Sequence, residues 1–207
     1  MNHGKFIVVE GLEGAGKSSV IALIMKILSE AKVHAIQTRE PGGTPLAEAL
    51  RECVKQSWQE QVTTETELML MYASRSQLLA NVIFPAINKG WWVVGDRHDL
   101  SSQAYQGGGR GVEAELLSTL RDITLKSFRP DLTVYLDVDP ATGLERARGR
   151  GELDRIEQSG LSFFERTREA YLDAVKHDSN IVKVDAMQPM KDVHADVSAI
   201  VTAFLTP

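Results

Sequence analysis

Cysteine is all but missing from this chain: Cys53 is the only one in 207 residues, so no internal disulfide can form and packing must carry the fold. Long apolar runs are missing too. Nothing approaches the roughly twenty consecutive residues that cross a bilayer, which argues against a membrane-spanning helix. Nor is positive charge in surplus: 23 Lys and Arg against 28 Asp and Glu leave a formal charge of −5. That argues against a general nucleic-acid binder, and any bound anion has to be held locally. The start, Met1-Asn2-His3-Gly4, leads into an apolar segment without a signal-peptide pattern, and the expected location is cytoplasmic. Repeats, low-complexity tracts and composition breaks are also lacking, so one domain over 1–207 is expected. His3, His34, His177 and His194 are scattered without metal-ligand spacing, which gives no reason for a zinc site.

What is present is ordinary globular material, 43% hydrophobic and 25% charged. Five short β-branched or aromatic runs, at 6–9, 33–37, 91–94, 132–136 and 181–184, read as buried strands. Between the first two, Val20, Leu23, Ile24, Ile27, Leu28 and Ala31 recur at intervals of three and four, the stripe of an amphipathic helix. Further helices are expected over 46–56, 65–88, 112–126, 162–177 and 190–204. Strands alternating with helices predict an α/β protein, a three-layer arrangement with a five-stranded parallel sheet covered by helices on both faces. Ligands bind such sheets at the carboxyl ends of the strands. The irregular segments 39–44 and 95–98 sit there.

Directly after the first strand comes Gly11-Leu12-Glu13-Gly14-Ala15-Gly16-Lys17-Ser18, a G-x-x-x-x-G-K-[ST] phosphate loop in its required strand-to-helix context. Glycines let successive N–H groups face inward, and the following helix adds its free amides and positive dipole end. Lys17 supplies a point charge to the β and γ phosphates, and Ser18 a hydroxyl ligand for Mg²⁺. With Ser19, this segment is the expected ATP site. A guanine-reading Asn-Lys-x-Asp is absent after any strand, which removes a GTPase switch protein. An Asp-Glu strand end is absent too, since Asp96 is followed by Arg97; activation of water is not what such a site is built for.

Arg39, Arg75, Arg97, Arg110, Arg148, Arg150 and Arg155 gather in or near the loops around that site in an acidic chain. Arginine holds phosphate with a planar fork and keeps its charge. Moving a phosphoryl group between two anionic substrates requires charge to be cancelled on both and water to be shut out. The pattern therefore points to a kinase of a small phosphorylated acceptor. The segment 146–159, glycine-punctuated and highly charged, reads as a lid between two helices. The alternatives are the same chemistry on another nucleotide or nucleoside, or a nucleotide-gated regulatory ATPase.

Four blocks carry a more specific likeness: Val9-Glu10-Gly11 through Ser18; Thr38-Arg39-Glu40-Pro41-Gly42-Gly43-Thr44; Gly95-Asp96-Arg97-His98 continuing through Ser101-Ser102-Gln103-Ala104-Tyr105-Gln106 to Gly111; and Arg129-Pro130-Asp131-Leu132. In order and spacing they resemble the bacterial thymidylate (dTMP) kinases along nearly the whole chain. The resemblance implies transfer of the γ-phosphate of ATP to dTMP, giving dTDP and ADP with Mg²⁺, by a homodimer. It implies Glu13 near the acceptor sugar 3′-hydroxyl, Arg39 and Arg97 on the acceptor phosphate with Arg97 also near the transferred group, and Arg75 at the thymine ring. Ser102 and Gln106 would read the polar edge of the base, Tyr105 would fill the space of a ribose 2′-hydroxyl, and Pro41 and Ser101 belong to the same acceptor site. Subtypes of the family keep the arginine of the transferring phosphoryl either in the phosphate loop or in the lid. Gly14 stands in the loop here, so the resemblance is to the lid-arginine subtype, with Arg150 favoured for the phosphoryl group and Arg148 for stacking on adenine. Where relatives place phenylalanine on the thymine face, this chain aligns Met71, and a one-residue shift would substitute Tyr72. His98 is expected to be structural, because in-line transfer to a phosphate needs no base.

Overall fold

A computed structural model describes residues 3–149 and 152–206. Five strands, β1 (Phe6–Gly11), β2 (Ala35–Arg39), β3 (Trp92–Asp96), β4 (Leu132–Asp137) and β5 (Ile181–Asp185), form one sheet in the order β2-β3-β1-β4-β5. Every pairing is parallel, which requires a crossover between successive strands and buries the central ones on both faces. β1 and β4 are buried at every position, whereas β2 and β5, at the edges, each bury a single residue and expose two.

Helix α1 (Lys17–Glu30) packs through Val20, Ile21, Ile24 and Leu28. Leu23 and Ile27 are half-buried against the same core, while Ala31 is exposed past the helix end, so Ile21 replaces it in the stripe. The chain then turns through Lys32 at φ 59°, which delays β2 to Ala35 instead of Val33. Helix α2 (Pro45–Lys55) starts at Thr44, whose hydroxyl accepts from Ala47 N, with proline in the first turn.

The helix expected over 65–88 is interrupted. α3 (Thr64–Leu78) passes through a π-helical turn, Leu79–Ile83, into α4 (Phe84–Asn88). A second helical element follows β3 where no helix is expected: α5 (Asp99–Ser102) continues as a π-helical stretch, Gln103–Gly109. Its glycines hide helical periodicity, but Gly108 and Gly109 sit where a Cβ would collide with α8 (Leu161–His177), at Ala170 and Phe163. Close packing requires them. Helix α6 (Ala114–Leu125) follows, then α7 (Pro140–Arg148) and finally α9 (Met190–Leu205). α7 takes Arg146 and Arg148 into its last turn, and the lid segment ends in a short 3₁₀ turn, Glu157–Ser159. Among the described residues no helix is long and apolar enough to cross a membrane.

Candidate functional site

Parallel register assembles the site. Val9 pairs with Asp96, and Asp96 pairs with Arg39, so the phosphate loop after β1, the arginine after β3 and the loop after β2 leave the sheet side by side at their carboxyl ends. In the loop, Gly14 and Gly16 take positive φ of 74° and 91°. A Cβ on Gly14 would lie 2.3 Å from Gly143 O, and one on Gly143 2.6 Å from Glu13 O; α7 packs directly on the loop, backbone to backbone. Arg146 reinforces that contact, with Nη1 3.4 Å from Gly14 O and 3.2 Å from Ala186 O. Lys17 Nζ donates to Gly11 O at 3.0 Å and Leu12 O at 2.9 Å. Burial, and secondly the charge of Arg97, push the Lys17 ammonium down to about 8.

Arg97 has a φ of 69°, a left-handed conformation that costs a non-glycine residue roughly 1–3 kcal/mol. The turn throws its guanidinium across the cleft. Nη2 donates to Glu13 Oε1 at 2.7 Å and to Tyr105 OH at 3.0 Å, and Nη1 to Ser101 Oγ at 3.1 Å. Tyr105 OH donates to Glu13 Oε2 at 2.6 Å. Burial alone would raise the Glu13 carboxyl; the charges of Arg97 and Lys17 outweigh it and hold the group below its ordinary range.

Beneath this triangle lies a residue to which the sequence reading assigned no role. Glu10, fully buried, accepts from His98 N at 2.8 Å, Ser101 N at 3.2 Å, Ser101 Oγ at 2.6 Å and Tyr171 OH at 2.8 Å. Burial raises its carboxyl, with Arg97 opposing. Ser101 thus stands between Glu10 and Arg97 and holds the arginine's second nitrogen. A glutamate inside an apolar strand was the available signal.

The cleft mouth carries Lys17, Arg39, Arg51, Lys55, Asp96 and Arg97 together with Glu152, Asp154 and Glu157 of the lid. Arg39 is exposed and paired with Glu48 at 2.8 Å. Arg51, which composition alone could not single out, donates to Pro41 O at 2.8 Å. Ser18, at the helix start, is exposed, and Asp96 Oδ1 is buried without a hydrogen-bond partner among the described residues. A hydroxyl and an unpaired carboxylate oxygen beside a phosphate loop fit a hard divalent cation that takes its other ligands from phosphates and water.

The inner cleft is lined by Pro41, Val54, Met71, Ser101, Tyr105 and Ile156. Met71 is on this wall. Tyr72 is turned away, its hydroxyl 2.7 Å from Asp99 Oδ1, which removes the one-residue shift. Arg75, Ser102 and Gln106 are all buried, each next to a residue of that wall: Arg75 pairs with Glu40, Ser102 follows Ser101 and Gln106 follows Tyr105. Arg75 donates to Glu40 Oε2 at 2.8 Å, His98 O at 3.0 Å and Ser102 Oγ at 3.0 Å, and its Nη1 is left without a hydrogen bond among the described residues. His98 Nδ1 lies 2.7 Å from Glu40 Oε1, the structural position expected of it.

The lid arginines separate. Arg148, at the end of α7, is exposed. Arg155 is committed elsewhere: its Nε donates to Val54 O at 2.9 Å, its backbone N to Lys55 O at 3.2 Å, and its Nη2 lies 2.8 Å from Glu67 Oε2. It caps the end of α2 and is not free for a phosphoryl group. Arg150 lies outside the described residues.

The thymidylate kinase family model matches residues 9–197. A thymidylate kinase of Alteromonas mediterranea is 66% identical over 204 residues, which cover 99% of this chain and 92% of that protein. One of Colwellia psychrerythraea is 58% identical over 207 residues, 100% of this chain and 98% of that protein, and one of Pseudoalteromonas translucida 58% over 200 residues, 97% and 96%. A phosphate loop facing a half-buried arginine, on a parallel sheet of order 2-3-1-4-5 and within sequence so widely shared, places this chain in the family of bacterial thymidylate kinases, the P-loop nucleoside monophosphate kinases of dTMP.

Proposed function

We propose that the cleft between β1 and β3 carries out the family's reaction with the following division of labour. A thymidylate kinase phosphorylates dTMP to dTDP at the expense of ATP. The triphosphate lies on the amides of Gly11, Leu12, Glu13, Gly14, Ala15, Gly16, Lys17, Ser18 and Ser19, with Lys17 turning from its carbonyl partners to the β and γ phosphates. Mg²⁺, when bound, neutralises charge between those phosphates; Ser18 and Asp96 are the residues here that would hold it. Arg148 stacks on adenine.

The acceptor lies in the inner cleft. Arg97 and Arg39 hold its phosphate, Glu13 its 3′-hydroxyl, and Tyr105 closes the space beside the sugar where a 2′-hydroxyl would be. Met71 and Pro41 wall the base, with Arg75, Ser102 and Gln106 on its polar edge. Two atoms support that last assignment: among the described residues Arg75 Nη1, a donor, is buried without a hydrogen bond, with Asp99 Oδ1 near it at 3.5 Å, and Gln106 Oε1, an acceptor, is buried without a partner. A thymine edge offers a carbonyl to one and an N–H to the other.

Transfer itself needs little covalent help from the protein. Lys17 and Arg97 cancel charge as it spreads over the transferring group, and the lid excludes water. The phosphate loop contains no arginine and Arg155 is occupied, which supports a lid source for the remaining cation, Arg150. Met69, Phe84, Leu116 and Ile123 are exposed apolar residues on α3, α4 and α6, which supports a homodimer through that face. The chain is one kinase domain with a lid over 146–159, working in the cytoplasm.

The observation that carries this reading is Arg97 reaching Glu13 across the same cleft that Lys17 lines: cations for both phosphate tails face one gap. A crystal with dTMP and an unreactive ATP analogue is the test. Tails converging between Lys17 and Arg97 are expected; tails bound apart, or ATP hydrolysis that ignores dTMP, would overturn it.

A further inference from the structure

A carboxylate with no part in phosphate handling collects more donors than the fold requires. Glu67, on α3, is 1% exposed. Its Oε1 accepts from Gln106 Nε2 at 2.9 Å and Arg110 Nε at 3.3 Å, while Oε2 lies 3.2 Å from Arg110 Nη2 and 2.8 Å from Arg155 Nη2. Burial alone would raise this carboxyl. The hydrogen bonds from Gln106 and Arg110, and the charges of Arg110 and Arg155, outweigh burial and keep it below its ordinary value. Near neutrality Glu67 is therefore an anion that accepts hydrogen bonds and donates none.

That property decides how the Gln106 amide is turned. An amide has one donating end and one accepting end, and against an acceptor-only neighbour the NH₂ end must face it. The carbonyl end is thereby sent the other way. Among the described residues Gln106 Oε1 is buried with no partner, an arrangement that folding leaves unfavourable until a donor arrives.

We propose that Glu67 is the positioning residue for base selection: by claiming the amide N–H of Gln106 it makes the pocket present a hydrogen-bond acceptor, so that a pyrimidine bearing N3–H is taken and one with a bare N3 is refused. The proposal rests on the reading above in which Gln106 faces the base. Thymine and uracil carry N3–H; cytosine carries a lone pair there, which would meet the Gln106 oxygen with no proton between them. Arg155 brings the lid to the same carboxylate, so the anchor that orients the amide is complete when the lid lies against α2.

The test compares kcat and KM for dTMP and dCMP in the full-length wild type, Glu67→Gln, Glu67→Met, Glu67→Asp and Gln106→Ala, with thermal melts to select folded variants. Glutamine at 67 can offer either end of its amide, and methionine offers neither, so both release Gln106. Each is expected to lower the dTMP-to-dCMP ratio of kcat/KM about tenfold or more, mainly through the KM for dTMP. Glu67→Asp, still acceptor-only, is expected to recover part of the ratio, and in a Gln106→Ala background the Glu67 substitutions should have no further effect. A ratio within twofold of wild type in either folded Glu67 variant, while Gln106→Ala lowers it, overturns the role of Glu67. A ratio unmoved by Gln106→Ala overturns the base contact itself.

Discussion

Arg97 and Glu13, 84 residues apart in the chain, meet at 2.7 Å across the mouth of the phosphate loop. One sits in a strained left-handed turn and the other inside a glycine-rich loop, and Tyr105 donates to the glutamate while accepting from the arginine. The pair holds each side chain in place at the cleft, where the proposed reading puts the acceptor nucleotide.

On the proposed division of labour, removing either Lys17 or Arg97 should cost turnover more than stability. Lys17→Ala and Arg97→Ala are each expected to lower kcat by about 10²- to 10³-fold, with melting temperatures near wild type. Steady-state kinetics beside thermal melts check this; near-normal turnover in either variant would mean the site is wrongly assigned.

Lys17 also predicts a pH signature. With its ammonium pushed down to about 8 in the free enzyme, the charged form that ATP needs declines as pH rises through that value. The kcat/KM for ATP reports the free enzyme and should fall above about pH 8. In the complex, phosphate charge returns the ammonium to higher values, so kcat should hold further into alkali. Parallel decline of both parameters would count against it.

Glu40 predicts an acid-side signature in stability. Burial alone would raise its carboxyl, but the charges of Arg75 and His98 and their hydrogen bonds bring it below the ordinary 4.5. The folded state thus releases its proton more readily than the unfolded one. Its contribution is present above about pH 4.5 and is lost as pH falls through the lower folded value. Glu40→Gln should destabilise near neutrality by about 3–5 kcal/mol, because Arg75 keeps its buried charge, and should flatten the acid limb of a plot of melting temperature against pH.

The two lid arginines should fail differently. Arg150→Ala is expected to lower kcat more than it raises the KM for dTMP. Arg155→Met, which unties the lid from Val54 and Glu67, should do the reverse. Identical kcat and KM patterns would show that the lid does not divide the work.

Met71 stands on the cleft wall where an aromatic ring would add a stacking contribution. Met71→Phe is expected to lower the KM for dTMP by about two- to tenfold. An unchanged or higher value would place the base elsewhere.

The elements legible from periodicity are those whose apolar pattern is undisturbed: all five strands, α1, α2, α6, α8 and α9. Gln103–Gly109 was not, because its glycines answer to the side chains of α8, which are distant in sequence. The break at Leu79–Ile83 does have a signal in the chain, Pro85 just beyond it, which lacks the N–H that a continuous helix would use. Positions that rest on one residue's chemistry, Lys17 in its loop or Arg97 after a strand, could be placed at the cleft from the chain alone. Glu10, Arg51, Arg146 and Glu67 could not, because what each does depends on its partner.

Local order alone specified a parallel α/β sheet, a phosphate loop and a surplus of arginine beside it, since strand period, helix period and loop chemistry are written in neighbouring residues. Which arginine faces the cleft and which is spent on holding the protein together was decided only when the chain closed. Arg155 looks like a ligand-binding cation in sequence; it caps α2 and meets Glu67. A charge takes its role from the groups brought within a few ångströms of it, and those groups come from segments that only folding joins.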